Sequence, residues 1–294
     1  MPDATPIAAD QVPPHALNAA VTAAFADYLA GPFRLPPAAW PRFLARQGVD
    51  LALSRVVLSG DEVAAFALVA PRADAPRWRL ATMGARPSAR GGGGAQRLLD
   101  DLLARAAAAR LQGVELEVFA QNERAVRLYR RHGFVERHGL YGHERPASAA
   151  ASSPRHPDGI AAAIALDDAC AWLDRAARRC PELPLQVLGP SLRALPDDPA
   201  PQAWRRGDAQ LVFTLPAAAG DTAPSATVHS LVDLDPRQAD AARLVDAWQA
   251  ALPDHRLVVP ALQRDDVGGD ALRRGGFAPQ PLHQWWMLRP LDGR

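Results

Sequence analysis

Residues 85–106 read "ARPSARGGGGAQRLLDDLLARA": a proline turn, an arginine, four consecutive glycines, then leucines at helical spacing. A loop entering the first turn of a helix points its backbone N–H groups at one spot, and the helix dipole adds partial positive charge there. That spot suits a phosphate. Glycines let the backbone approach an anion closely because no Cβ intervenes, and they accept positive φ. The alternative is a flexible spacer, yet spacers are not normally flanked by a strand with Pro87 and an immediate amphipathic helix. The run is not a Walker loop, since no Gly-Lys-Ser/Thr follows, and it is not a dinucleotide fingerprint, since its glycines are contiguous. Other candidate groups are weaker. His132 and His138 suit a base by type, and Glu115 and Glu117 share one face of a short strand. Arg124, Arg127, Arg130 and Arg131 read as a solvated helix face, with a phosphate contact as the alternative. Cys170 and Cys180 match no metal spacing, and neither a metal-binding cluster nor a Gly-x-Ser-x-Gly elbow is present.

The elements that would position this loop follow from periodicity. Leu17, Val21, Ala24, Phe25, Tyr28 and Leu29 recur at helical spacing over 15–30, and a second short helix starts near Pro41. Two β-rich runs, 51–58 and 62–70, flank Ser59-Gly60-Asp61 and read as a hairpin. A third run spans 78–85. The leucine-rich helix covers about 95–110, Gly113 breaks it, "VELEVFA" at 114–120 is a strand, and 122–132 is a helix ending at Gly133. This order predicts a mixed α/β sheet with one crossover unit at its centre. Residues 146–159, "PASAAASSPRHPDG", lack periodicity and read as a linker. The expected division is a first domain over 1–146, a linker over 147–159 and a second domain over 160–294.

Arg90, Gly93 and Ala95 behind Pro87, then "QRLLDDLLARA", then "LEVFAQNERAVRLYRRHGF", resemble the acetyl-CoA signature of the GNAT superfamily of N-acetyltransferases. The resemblance is strong over about 78–145; the hairpin and the opening helices, including "AFADYL", fit the family's substrate side more loosely. It implies the acyl-CoA N-acyltransferase fold, with acetyl-CoA as cosubstrate and no metal. Loop amides of Arg90, Gly91, Gly92, Gly93, Gly94 and Ala95 would grip the pyrophosphate, and backbone at Met83, Gly84 and Ala85 would pair with the pantetheine arm. Acetyl transfer from a thioester needs a neutral amine, an oxyanion donor and an acid for the departing thiolate. The acid is expected to be Tyr129, seven residues after Asn122 as in the family, because a phenol of pKa about 10 lies above a thiol at about 8.5; packing beside Phe134 is the alternative. The base is expected to be Glu117, directly or through a water, as in the ribosomal-protein alanine acetyltransferases that this segment resembles; a solvated acidic face accounts for it equally. Asn122 is either a pantetheine contact or the N-cap of the next helix.

The second half carries an internal repeat. Phe134 follows Asn122 by twelve positions, and Phe277 follows Asp265 by the same twelve. In that register Tyr129 faces Leu272 and Glu117 faces Pro260, while "SLVDLDPRQADAARLV" stands where the glycine loop should be. Asp233 and Asp235 there would repel a pyrophosphate. The expectation is two tandem copies, the second degenerate, with "LHQWWML" at 282–288 serving packing rather than a ligand. Thirty-three Lys+Arg against thirty-two Asp+Glu leave a net charge of +1, so no global field points to nucleic acid or an anionic membrane. The start of the chain lacks a signal-peptide pattern and no run suits a membrane span, which predicts a soluble cytoplasmic protein. A fused pair meets a dimer's need within one chain, so a monomer is expected, with a homodimer as the alternative. The leading function is acetyl transfer to a primary amine of a small molecule or protein. The competing readings are a non-catalytic acetyl-CoA sensor and a structural tandem module.

Overall fold

Eight consecutive residues, Val63 to Ala70, are buried in the third strand of the chain. A strand reads as an unbroken apolar run when both of its faces are covered. In the computed structural model, which describes residues 5–147, 161–216 and 224–291, helices supply that cover. The chain divides into two units, Met1–Arg137 with Trp286–Arg294, and His138–Trp285. Most of the expected linker (147–159), all but residue 147, lies outside the described residues.

The first unit opens with β1 (Ile7–Ala8), α1 (Pro14–Ala24) and α2 (Trp40–Gln47), followed by β2 (Asp50–Ser59), β3 (Glu62–Pro71) and β4 (Arg77–Ala85). Then come α3 (Gly94–Ala108), β5 (Gly113–Phe119) and α4 (Glu123–Arg131), and β6 (Val135–Arg145) leads into the second unit. Strand order is β1-β2-β3-β4-β5. The first three pairings are antiparallel and β4–β5 is parallel, with α3 as its crossover. Leu17, Val21 and Trp40 pack with Val56, Phe66 and Leu68 on one side. Leu98, Leu99, Leu102 and Ala106 are the buried stripe of α3. The last residues of the chain belong here too: Leu291 N donates to Gln112 O at 2.9 Å, the Arg77 guanidinium lies 5.7 Å over the Trp286 ring, and Trp286 and Met287 are fully buried.

The second unit contains β7 (Ala162–Ile164), α5 (Leu166–Arg179), α6 (Gly189–Arg193), β8 (Gln202–Arg206), β9 (Ala209–Thr214) and β10 (Ser225–Asp233). It continues with α7 (Ala239–Ala251), β11 (Arg256–Arg264), α8 (Gly269–Arg274) and β12 (Ala278–Pro290), which ends in the first unit. Its strand order, β7-β8-β9-β10-β11, repeats the first unit's, again with three antiparallel pairings and then a parallel one across a helix. Trp248 and Phe277 stack at 6.0 Å in its core.

Two sequence expectations change. Helix α1 stops at Ala24 rather than 30: Tyr28 N and Phe33 N both donate to Phe25 O, which turns 25–33 into a compact loop. The strand expected at 114–120 pairs in parallel with β4 only from Arg77–Leu80 to Gly113–Leu116. Beyond Leu80 and Leu116 the two strands no longer pair.

Candidate active site

That divergence leaves one edge of β4 open. Arg86 N donates to Ala64 O at 2.9 Å, which makes residues 86 and 64 a hydrogen-bonded antiparallel pair. Alternation then turns the N–H and C=O of Gly84 toward β3 and those of Met83 and Ala85 away from it. Met83, Gly84 and Ala85 all line a cleft of about 710 Å³.

The glycine loop forms the next wall. After Pro87 the chain makes a tight turn in which Arg90 N donates to Pro87 O and Gly92 N to Ala89 O, each at 3.3 Å. Gly91 and Gly93 sit at φ +84° and +77°, which explains why glycine is needed at those two positions. Gly93 is the N-cap of α3. The N–H groups of Gly91, Gly93, Gly94, Ala95 and Gln96 have no hydrogen-bond acceptor among the described residues, and all five residues line the cleft. Gly92, whose N–H is used internally, lies outside the cleft lining. The free donors therefore point into the cleft at a helix N-terminus, where partial positive charge accumulates. Arg90 lines the cleft and bridges it to the α1 side, donating to Asp27 at 2.6 and 2.7 Å and to Ala24 O at 3.0 Å. Its guanidinium holds the exposed Asp27 carboxyl below its ordinary value.

Helix α4 closes the opposite side with Asn122 at its N-terminus. Asn122 Oδ1 accepts from Ala125 N at 3.2 Å, so the residue is an N-cap. Its side-chain amide also donates to the Tyr28 hydroxyl, and both residues line the cleft. Burial pushes the Tyr28 phenol up, against the pull of that hydrogen bond. Tyr129 lines the cleft as well, although only 7% exposed, and its ring lies 5.7 Å from Phe134. Burial, with a smaller contribution from Tyr28, raises the Tyr129 phenol above its ordinary value.

Glu117 is placed differently. It does not line the cleft; its carboxylate accepts from Arg79 at 2.7 and 2.8 Å, and both side chains are almost fully buried. Arg79 also donates to Gln47 at the end of α2. The neighbouring Glu115 is buried against Arg72 at 2.6 Å. His132 is tied to Leu128 O and Asp100, His138 to Glu182, and Arg130 to Glu136. The cleft thus gathers every expected residue except Gly92 and Glu117. Asp27, Tyr28 and Gln96 join it unforeseen; the only signal for the first two was their place in "AFADYL".

The equivalent region of the second unit is filled by its own side chains. The carboxylate of Asp233, 1% exposed, accepts from Ala241 N in the first turn of α7 at 2.8 Å and from Asp235 N at 2.9 Å. Gln238, at φ +53°, donates to Asp265 O and accepts from Ala271 N. Strands β10 and β11 pair only over Ser225–Thr227 and Arg256–Val258, and past that point Gln263 Nε2 donates to Leu231 O at 3.2 Å.

Residues 20–134 match the model of the acetyltransferase (GNAT) family. Solved structures extend the likeness over the whole chain. A GCN5-related N-acetyltransferase from Anabaena variabilis superposes with a TM-score of 0.66 at 15% identity, covering 98% of this chain and 73% of that one. One from Sphaerobacter thermophilus gives 0.56 at 16%, covering 99% and 98%. An acetyltransferase of Pyrococcus horikoshii gives 0.61 at 12%, covering 95% and 86%. At such identities the likeness is one of fold. Among proteins of curated function none matches. The chain is a mixed α/β protein of the GNAT acetyltransferase fold. Its residues 20–134 form a domain of the GNAT family, whose members transfer an acyl group from acyl-CoA. No described helix is long and apolar enough to cross a membrane, and no metal-binding group is found among the described residues.

Proposed function

We propose that the protein is an acetyl-CoA-dependent N-acetyltransferase that acetylates a primary amine of a small molecule or protein directly, without a covalent enzyme intermediate. The observation that carries the reading is the set of five unpartnered N–H groups, Gly91, Gly93, Gly94, Ala95 and Gln96, in one cleft with the open edge of β4 and Tyr129. These residues fit coenzyme A: the loop amides would hold its pyrophosphate, and Met83 and Ala85 present backbone donors and acceptors suited to the amides of its pantetheine arm. Acetyl-CoA would supply the acetyl group as an activated thioester. A free N–H of Met83 or Ala85 can stabilise negative charge on the carbonyl oxygen under attack. Tyr129, kept protonated by its buried setting, would give its proton to the departing thiolate. For the amine proton the reading retains Glu117, through a water. That carboxylate is paired with Arg79 and lies outside the cleft lining, so the water would have to bridge it to the amine.

The second unit is, in this reading, a tandem GNAT-like half without a cofactor site. Asp233 occupies the helix N-terminus where the first unit leaves amides open, and Gln263 bridges the gap where the first unit leaves β4 free.

The test is release of free thiol from acetyl-CoA in the presence of a panel of amines, from polyamines to peptides with free N-termini and lysines. Acetylated product with stoichiometric thiol supports the reading. Tight acetyl-CoA binding with no turnover on any amine would convert it to a sensor.

A further inference from the structure

The cleft of the first unit carries both charged and apolar lining. Its charged residues are Asp27, Arg90, Arg124, Arg127 and Arg131, and Arg90 already engages the Asp27 carboxylate at 2.6 and 2.7 Å. Among the described residues no other lining carboxylate is left to pair with a polycation, and the arginines of α4 repel one. The loop over residues 25–33 contributes Phe25, Tyr28 and Leu29 instead, and β4 adds Met83. Leu29 is 38% exposed, one of two large hydrophobic residues left exposed among those described; the other, Val135, does not line the cleft. This apolar wall is held in place by its own contacts. The Phe25 ring packs edge-on against Tyr28 at 4.9 Å and Phe33 at 6.4 Å, and the Tyr28 ring lies 5.9 Å from Phe119 at the end of β5. Asn122 fixes the Tyr28 hydroxyl and Arg90 fixes the adjacent Asp27. A preformed wall takes an apolar group with little ordering cost. It also stands beside the expected acid, since Tyr28 is near enough to Tyr129 to add to the rise in its pKa.

We propose that the acceptor is a primary amine with a single positive charge and an apolar group, aryl or branched alkyl, close to its nitrogen, seated against Phe25, Tyr28 and Leu29. The inference rests on the acetyltransferase reading and names the substrate class of that site. In the transfer the amine nitrogen bonds to the acetyl carbon as the carbon–sulfur bond breaks, the nitrogen gives up one proton, and coenzyme A leaves as the free thiol. A free aralkylamine and a peptide N-terminus with an apolar first residue share the required chemistry. Polyamines and polyamino sugars lack it, because their additional ammonium groups find no free carboxylate in the cleft.

The experiment titrates 2-phenylethylamine, a peptide beginning with phenylalanine, ethylamine and spermidine into the full-length protein saturated with coenzyme A, and separately follows thiol release from acetyl-CoA with each amine. 2-Phenylethylamine or the peptide is expected to bind about 30-fold more tightly than ethylamine, the yield of burying about 80 Å² of apolar surface; the tighter of the two identifies the source. Spermidine should bind no better than ethylamine. Leu29→Asp, at an exposed position, should reduce the aryl preference to a few-fold and strengthen spermidine binding about fivefold. Val135→Asp, exposed and outside the cleft, should keep the wild-type ranking. Spermidine as the tightest ligand of wild type would overturn the proposal, and so would an unchanged ranking in a folded Leu29→Asp protein. The expected ranking in binding with no thiol released by any amine would refute the acetyltransferase reading itself and retain the ligand class.

Discussion

Gly93→Asp places a carboxylate at the point where the structure leaves donors open. The Gly93 backbone, at φ +77°, caps α3, and a Cβ there would meet nothing nearer than the mobile end of Arg97 at 3.4 Å. The fold should accept the side chain at the cost of left-handed backbone strain, about 1 kcal/mol, less for Asp and Asn than for other residues. Binding should respond far more. Two unit charges 4 Å apart repel by about 1 kcal/mol in bulk water and about 4 at a protein surface; against a doubly charged pyrophosphate in a half-open cleft, about 3 kcal/mol is expected, roughly a 150-fold loss of affinity. Gly93→Asn adds nearly the same volume and strain without the charge. It should retain most of the affinity, so the difference between the two variants isolates the electrostatic part. Circular dichroism and thermal melts establish that both are folded, and calorimetry with acetyl-CoA gives the affinities. A folded Gly93→Asp protein binding within twofold of wild type would refute the phosphate assignment. Equal losses in both variants would show that the loop is read through its shape and not its field.

Tyr129→Phe should leave acetyl-CoA affinity within a few-fold and lower kcat by roughly 10²–10⁴ with any amine that is turned over, the usual contribution of a general acid; unchanged kcat would move the role to Tyr28 or water. Calorimetry should find one acetyl-CoA per chain, because Asp233 already occupies the helix N-terminus in the second unit; a stoichiometry near two would sink that reading. A chain ending at residue 285 loses the buried Trp286 and Met287 from the first unit, at about 1.5–3 kcal/mol for each side chain. It should therefore melt at a lower temperature and bind acetyl-CoA weakly, and a shortened chain with wild-type affinity would refute the assignment of that segment. His143 is fully buried with neither ring nitrogen bonded among the described residues, and burial lowers its pKa below 6.5. The unfolded chain then takes up a proton that the folded one refuses, so stability holds above pH 6.5 and falls as pH drops below it. His143→Leu should flatten that fall in urea midpoints measured from pH 7.5 to 5, and an identical slope would refute it.

The parts of the fold that local chemistry dictates were legible in the residues. The hairpin at Gly60, the strand before Pro87 and the helix after the glycines follow from turn chemistry and periodicity and are found, but that helix ends at Ala108, with Arg110 at positive φ, and Gly113, expected to break it, is instead the first residue of β5. The end of α1 was not legible. Phe25, Tyr28 and Leu29 continue the helical spacing, but the local bonds of Tyr28 N and Phe33 N to Phe25 O turn the chain, and tertiary bonds hold that loop: Arg90 to Asp27 and Ala24 O, and Asn122 to Tyr28. A single sequence carries no record of pairings 63 or 94 residues away. The same limit applies to Glu117. The family resemblance pointed to it as the base, yet its partner Arg79 lies 38 residues earlier on the adjacent strand. Acidic residues on a strand face read as solvated when the cations opposite them are not known to be there.

The assignment of the end of the last strand, from Trp286 on, to the first unit was also beyond local reading. "LHQWWML" shows an apolar segment in need of cover, but nothing in its own residues says which core supplies it.

The two helix N-termini, α3 and α7, present the same physical problem with opposite solutions. Each leaves its first N–H groups without intrahelical acceptors. In the second unit that need is met from within: Asp233 accepts from Ala241 and Asp235, and Gln238 ties the loop to Asp265 and Ala271. The gain is a closed loop with an anion built in. In the first unit no described side chain supplies an acceptor, and glycine at positive φ keeps any Cβ out of the way. Five unpartnered donors in a cleft open to water are tolerable because water can serve them, and that makes them exchangeable for a ligand. A stability argument alone would favour the second solution at both sites. The first unit's choice of glycines over a capping aspartate is therefore best explained by a ligand that brings the negative charge with it.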